Sequence, residues 1–127
     1  MESEPGQPVC YVTTIGRRSG RRHTIEIWYA ELDGSVFLLS GHGDRADWVR
    51  NLAADPQAAV SLAPDGPGGA RLPARAFVAE LGPLPDELPV RQAMDARYHS
   101  WTPGRPLSSW ATESLVVQLV PSDEAVT

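Results

Sequence analysis

The chain contains no lysine: all eleven of its basic residues are arginine. Chemistry through a lysine Schiff base is therefore excluded. Cysteine is nearly missing too, with Cys10 alone, so no internal disulfide can form. A lone thiol in a β-forming run is read as a core residue before it is read as a nucleophile, and an unpaired cysteine fits a reducing, cytoplasmic location. No apolar run approaches the ~18 residues of a membrane-spanning helix. The opening Met-Glu-Ser-Glu-Pro-Gly is acidic where a signal peptide is basic, so neither a span nor a signal peptide is expected. His23, His42 and His99 lie far apart without carboxylates at ligand spacing, and no metal site is predicted. No G-x-S-x-G elbow accompanies a nucleophile. Excess positive charge is also lacking: a net charge of −5 argues against a nucleic-acid binder, which presents a broad basic face.

Against that acidic background stands one basic knot, Gly16-Arg-Arg-Ser-Gly-Arg-Arg22. Four of the eleven basic side chains fall in positions 17 to 22, where even spreading predicts roughly half of one. Arginine offers a planar fork of donors that matches phosphate or carboxylate and stays charged at any physiological pH. Two glycines allow left-handed backbone angles and a concave set of N–H groups, and Ser19 adds a hydroxyl. The turn reads either as an anion site or as a solvated hairpin.

The 127 residues, 42% apolar and 21% charged, describe one soluble domain spanning 1–127, with 1–8 as a flexible tail. Val9 to Thr14 and Thr24 to Ala30 read as strands. In the second, Ile25, Ile27 and Tyr29 share one face, and Thr24, Glu26 and Trp28 the other. Asp33-Gly34 is a hairpin signal leading into the strand Ser35 to Ser40. A short helix follows, with Asp44 as its cap, Val49, Leu52 and Ala53 as its buried stripe and Pro56 as its stop. Ala58 to Ala63 and Arg71 to Leu81 have β character, with a turn-rich link from Pro64 to Gly69 between them. Val90, Met94 and Tyr98 give Val90 to His99 a helical stripe. Ser100 to Thr112 reads as irregular, and the apolar run Leu115 to Val120 as a last strand buried on both faces. The order β-β-β-α-β-β-α-β predicts a mainly β (α+β) fold, a barrel of about six antiparallel strands with two or three short helices.

Gly41-His-Gly43-Asp-Arg-Ala46 matches a dinucleotide-binding fingerprint locally, but no βαβ repeat surrounds it. A glycine-rich loop before a helix still makes an anion site in its own right, so a phosphate is placed between it and Arg17/Arg18. Trp28 and Trp48, beside the two anion candidates, are available to touch a planar ligand.

Thr13-Thr-Ile-Gly-Arg-Arg-Ser-Gly20, followed by Ile25-Glu-Ile-Trp-Tyr29, Ser40-Gly-His-Gly43 and Ala46-Asp-Trp-Val-Arg-Asn-Leu-Ala-Ala-Asp-Pro56, resembles the deazaflavin (F420)-dependent nitroreductase family. The likeness covers residues 9 to 63 and the strand at 115 to 120; residues 64 to 113 resemble nothing that can be placed. It implies a split β-barrel related to flavin reductases and pyridoxamine-phosphate oxidases. It further implies the cofactor F420, with FMN as the alternative, and hydride transfer to a small-molecule electron acceptor: a quinone, nitro compound or activated alkene. Arg17, Arg18 and Ser19 would hold the phosphate or acidic tail, with Arg21 and Arg22 nearby. Ser40, Gly41, His42 and Gly43 would line the ring and ribityl chain, with Trp48 and Asn51 at the phosphate end and Trp28 beside the planar group. Tyr29, Ser40 and Tyr98 are the candidate proton donors. A homodimer is implied, and the non-enzymatic alternative is a barrel that carries a cofactor or lipid-like molecule.

Overall fold

The computed structural model describes residues 9–62, 72–78 and 87–121. Its elements in chain order are β1 (Val9–Ile15), β2 (Arg22–Trp28), β3 (Ala30–Leu32), β4 (Ser35–Ser40), a 3-10 turn (Gly43–Arg45), α1 (Asp47–Ala54), β5 (Gln57–Leu62), β6 (Leu72–Val78), α2 (Leu88–His99), α3 (Ser109–Glu113) and β7 (Leu115–Pro121). All seven strands join one antiparallel sheet in the order β2-β1-β5-β6-β7-β4-β3.

That order explains why the sheet is a barrel. β2 and β3 occupy its opposite edges, yet only Tyr29 separates them in sequence. A single residue spans a few ångströms, so the sheet has to curl until its edges meet at Tyr29. At this seam the backbone has no ladder partner, and buried peptide groups need one. The Tyr29 N–H donates to the Tyr98 hydroxyl (3.1 Å), while the Tyr29 carbonyl accepts from that hydroxyl (3.1 Å) and from Arg97 Nη1 (2.9 Å). The single strand expected from Thr24 to Ala30 is thus two strands folded about a sewn corner.

Alternation sorts the side chains into two cores. Cys10, Val12, Val36, Leu38, Val60, Ala76, Val117 and Leu119 fill the barrel, and α1 adds Val49 and Leu52. Outside the barrel, Phe37, Leu39 and Val116 meet Val90, Met94 and Tyr98 of α2, which bears out the stripe read from the sequence. β7 therefore buries Val116 on one side and Leu115, Val117 and Leu119 on the other, as its unbroken apolar run predicts. Asp33 (φ 53°) and Gly34 (φ 80°) form the β3–β4 turn, both in the left-handed region that an Asp-Gly hairpin demands.

Several expectations need correction. Helix α1 begins at Asp47 with Ala46 as its cap residue and no side-chain cap bond, while Asp44 lies in the preceding 3-10 turn. Ala53 is exposed, and Asn51 takes the buried place because its amide has partners inside. Ser100 to Thr112 is not wholly irregular: Ser108 caps α3 by accepting from the Ala111 N–H. The tail 1–8 and the link from Pro64 to Gly69 lie outside the described residues.

Candidate functional site

The β1–β2 turn is built to be concave. Gly20 sits at φ 72°, and its N–H donates to the Gly16 carbonyl (2.8 Å), while the Gly16 N–H donates to the Arg21 carbonyl (2.7 Å). A Cβ on Gly16 would lie 2.7 Å from both His23 Nε2 and Ser19 Oγ, so only glycine lets those groups close over the backbone. The Ser19 hydroxyl in turn accepts from the Arg21 N–H (3.1 Å).

Helix α1 comes up against this turn. Arg17 Nη1 donates to Asn51 Oδ1 (2.8 Å), Arg17 Nη2 to Asp47 Oδ1 (3.2 Å), and the Arg17 N–H to Asn51 Oδ1 (3.2 Å). Asn51 uses its other face to donate to the Thr14 hydroxyl (3.1 Å). Turn, strand and helix are thus fixed around one cleft of about 670 Å³, lined by Thr14, Gly16 to Ser19, Arg22 to Ile25, Asp47, Trp48 and Asn51. Arg17, Arg18, Ser19, Arg22, Trp48 and Asn51 meet there as a group. Among the described residues Asp47 is the one acid of the wall, and Arg17 pairs with it, which leaves the exposed Arg18 and Arg22 to set the sign of the cleft.

Other expected residues are elsewhere. Arg21 is exposed outside this wall. Gly41, His42 and Gly43 do not line the cleft; side chains from the first turns of α1 approach the arginines in place of the glycine loop. Gly41 faces Trp110, whose Cδ1 would lie 3.7 Å from a Cβ added there. Trp110 and Trp28, with Val9, Glu26, Ile27 and Leu39, wall a second hollow of about 270 Å³. β2 contributes to both walls, Ile25 to the cleft and Ile27 to the hollow. From Arg22 to Trp28 the strand runs roughly 20 Å.

The three expected proton donors are occupied. Ser40 is buried, and its hydroxyl donates to the Gly43 carbonyl (2.9 Å). Tyr29 is buried in the barrel beneath the Arg97 guanidinium, 4.7 Å from the ring centroid. Tyr98 spends its hydroxyl on the seam, and its pKa is raised because burial outweighs the Tyr29 hydrogen bond and Arg97. Cys10 is fully buried, and burial pushes its thiol up to about 12, which confirms an inert core residue.

Sequence reasoning passed over the cluster at the end of α2. Asp95, 2% exposed, accepts at Oδ1 from His99 Nδ1 (2.8 Å) and the Ser108 hydroxyl (2.7 Å), and at Oδ2 from the Ser108 N–H (2.7 Å). Burial pushes its carboxyl pKa up, but the two Ser108 bonds and His99 outweigh burial and leave it below the usual value. The His99 ring stands edge-on to Trp110 (5.0 Å) and Trp28 (5.9 Å), and Trp28 stacks on Tyr98 at 4.3 Å and 5°. Asp95 and His99, four apart on a predicted helix, were the available signal.

Comparison with known families places this geometry. Residues 2–103 match the family model described as F420H(2)-dependent quinone reductase. The chain belongs to that family. No curated protein matches the sequence. Among solved structures, the chain is similar to a Listeria innocua protein described as a putative pyridoxamine 5'-phosphate oxidase, with TM-score 0.62 and 17% identity over 94% of this chain and 86% of that one. It is similar to a structure titled F420 reductase, with TM-score 0.57 and 20% identity over 91% and 87%. A FAD-binding protein from Mesorhizobium loti aligns with TM-score 0.55 and 16% identity over 92% and 83%. At these identities the structures establish the split-barrel fold of this F420H(2)-dependent quinone reductase family member.

Proposed function

We propose that the chain binds F420 and passes hydride from its reduced form to a quinone, nitro compound or activated alkene. The observation that carries this reading is the cleft at the β1–β2 turn, where Arg18 and Arg22 are exposed while the one lining acid is held by Arg17. The residues fit the group. F420 joins an anionic phosphate and glutamate tail to a flat ring, and this strand has a cationic cleft at one end and an aromatic hollow at the other. When bound, the deazaflavin supplies the hydride; the protein supplies orientation and electrostatics.

Arg18 and Arg22 hold the phosphate or tail, with the Ser19 hydroxyl as a further donor and Arg21 outside the wall. Arg17 and Asn51 position the turn, and Trp48 packs beside the phosphate end. Gly41, which faces Trp110, lies on the ring side together with Trp28, and Ser40, His42 and Gly43 are assigned to the ring and ribityl chain by the family resemblance. Tyr98 and Ser40 hold backbone instead of handling the transferred proton.

FMN is the alternative cofactor, since the same cleft accepts a single phosphate. A homodimer fits the exposure of Leu72 (53%) and Phe77 (40%) on β6, and a cytoplasmic setting fits the single reduced cysteine. Parallel fluorescence titrations with oxidised F420 and FMN test the reading. Micromolar binding of F420 alone supports it, binding of FMN alone changes the cofactor, and oxidation of the reduced cofactor by an added quinone separates an enzyme from a carrier.

A further inference from the structure

We propose that the hollow at the Trp28 end of β2 is a binding site for a flat organic cation of the N-alkylpyridinium class, with Glu26 as its counter-charge. On the reductase reading above, such a cation is a further hydride acceptor beside quinones, nitro compounds and alkenes. The hollow, of about 270 Å³, is lined by Val9, Glu26, Ile27, Trp28, Leu39 and Trp110. Glu26 is the one charged residue among these. It is exposed on the face of β2 that Trp28 shares, and among the described residues its carboxylate has no hydrogen bond or ion pair.

The aromatic walls suit a cation. Trp28 and Trp110 meet at 90° with their centroids 5.5 Å apart, so the two indoles form a corner instead of a parallel slot. Trp28 is held in place by stacking on Tyr98 at 4.3 Å and 5°. Indole is the best aromatic partner for a positive charge, and a carboxylate beside the rings adds attraction of the same sign. An anion meets the reverse: Glu26 repels at this end of the strand what Arg18 and Arg22 attract at the other.

The proton count favours the same class. A quinone that takes hydride needs a proton as well to become a hydroquinone, and the buried hydroxyls of Ser40 and Tyr98 are spent on backbone carbonyls. A pyridinium needs none. Its ring carbon gains a C–H bond with the electron pair of the hydride, a ring π pair moves onto nitrogen, and the cation becomes a neutral dihydropyridine. The dihydrodeazaflavin is oxidised by two electrons in the same step and releases its second hydrogen to water as a proton. Hydride transfer therefore erases the charge that Glu26 attracts, so the product binds more weakly than the substrate.

The test is calorimetric titration of the ligand-free protein with 1-benzyl-3-carbamoylpyridinium and with 3-benzylbenzamide, its neutral counterpart with carbon in place of nitrogen. The pyridinium should bind about tenfold more tightly. In Glu26→Gln, which keeps the shape and removes the charge, that preference should shrink about fivefold. The melting temperature should hold, because the side chain is exposed and unpaired. Equal affinity for the two compounds, or a preference that survives intact in Glu26→Gln, overturns the proposal. With reduced F420 as donor, the ratio of kcat/KM for the pyridinium to that for a neutral benzoquinone should also fall about fivefold in the variant. A protein that prefers the pyridinium but does not bind F420 overturns the reductase reading and supports the cation site. One that oxidises reduced F420 with the benzoquinone but shows no preference for the pyridinium overturns this proposal alone.

Discussion

The two ends of β2 are built on opposite principles. At the Arg22 end, a glycine turn spreads the exposed guanidiniums of Arg18 and Arg22 around an open cleft. At the Trp28 end, three aromatic rings and a histidine pack on one another, and the buried Asp95 has every contact supplied by the protein. Open charge gives affinity and long-range attraction; a packed, internally satisfied cluster gives position. On the proposed reading, one strand therefore separates an open, charged end that holds the ligand from a packed end that fixes position.

The largest expected effect tests the open end. Arg18→Ala together with Arg22→Ala removes two charge-assisted contacts at about 1.5–3 kcal/mol each, so F420 should bind at least about 100-fold more weakly. Because both side chains are exposed, thermal stability should barely move. A titration showing unchanged affinity would remove the cleft from the account.

The packed end should respond in the reverse sense. Asp95→Asn should cost about 2 kcal/mol of stability at pH 7 by weakening hydrogen bonds to a buried charge, with little change in F420 affinity. The folded pKa of Asp95 lies below its unfolded value, so its contribution is present above the unfolded pKa and lost as pH falls through the folded one. Thermal melts of wild type and variant should therefore converge below about pH 4. A gap that persists there would show that the cost is packing.

Tyr98→Phe comes next, at about 1–2 kcal/mol, because the Tyr29 N–H loses its acceptor inside the barrel seam. The rate of hydride transfer at a temperature where the variant is folded should stay within a few-fold of wild type. A collapse of that rate with intact folding would restore Tyr98 as a proton donor.

How legible the two ends were differs for a physical reason. The arginine turn, the Asp33-Gly34 hairpin and the Val90–Met94–Tyr98 stripe are local: residues a few positions apart carry the whole signal. The seam at Tyr29 is not, since its partners Arg97 and Tyr98 lie 68 and 69 positions away. Asn51 was placed at the phosphate end by the family resemblance alone, because nothing local shows that Thr14 and Arg17 meet it. Ser108 was hidden in a segment read as irregular, so its part in holding Asp95 needed the fold.

The smallest expected effect sharpens the comparison most finely. Asp47 is 86% exposed on its side chain and pairs with Arg17 at 3.2 Å, so the pair contributes under about 1 kcal/mol to stability. Its place on the cleft wall gives it a second consequence. A carboxylate beside an incoming phosphate repels it, and while Arg17 is pinned to Asp47 and Asn51 that guanidinium is turned toward the protein. Asp47→Ala should thus leave the melting temperature within a few degrees and tighten F420 binding by a few-fold, most clearly at low ionic strength. Weaker binding would mean that Asp47 holds Arg17 in its working pose, and the open end would then depend on internal satisfaction as much as the packed one does.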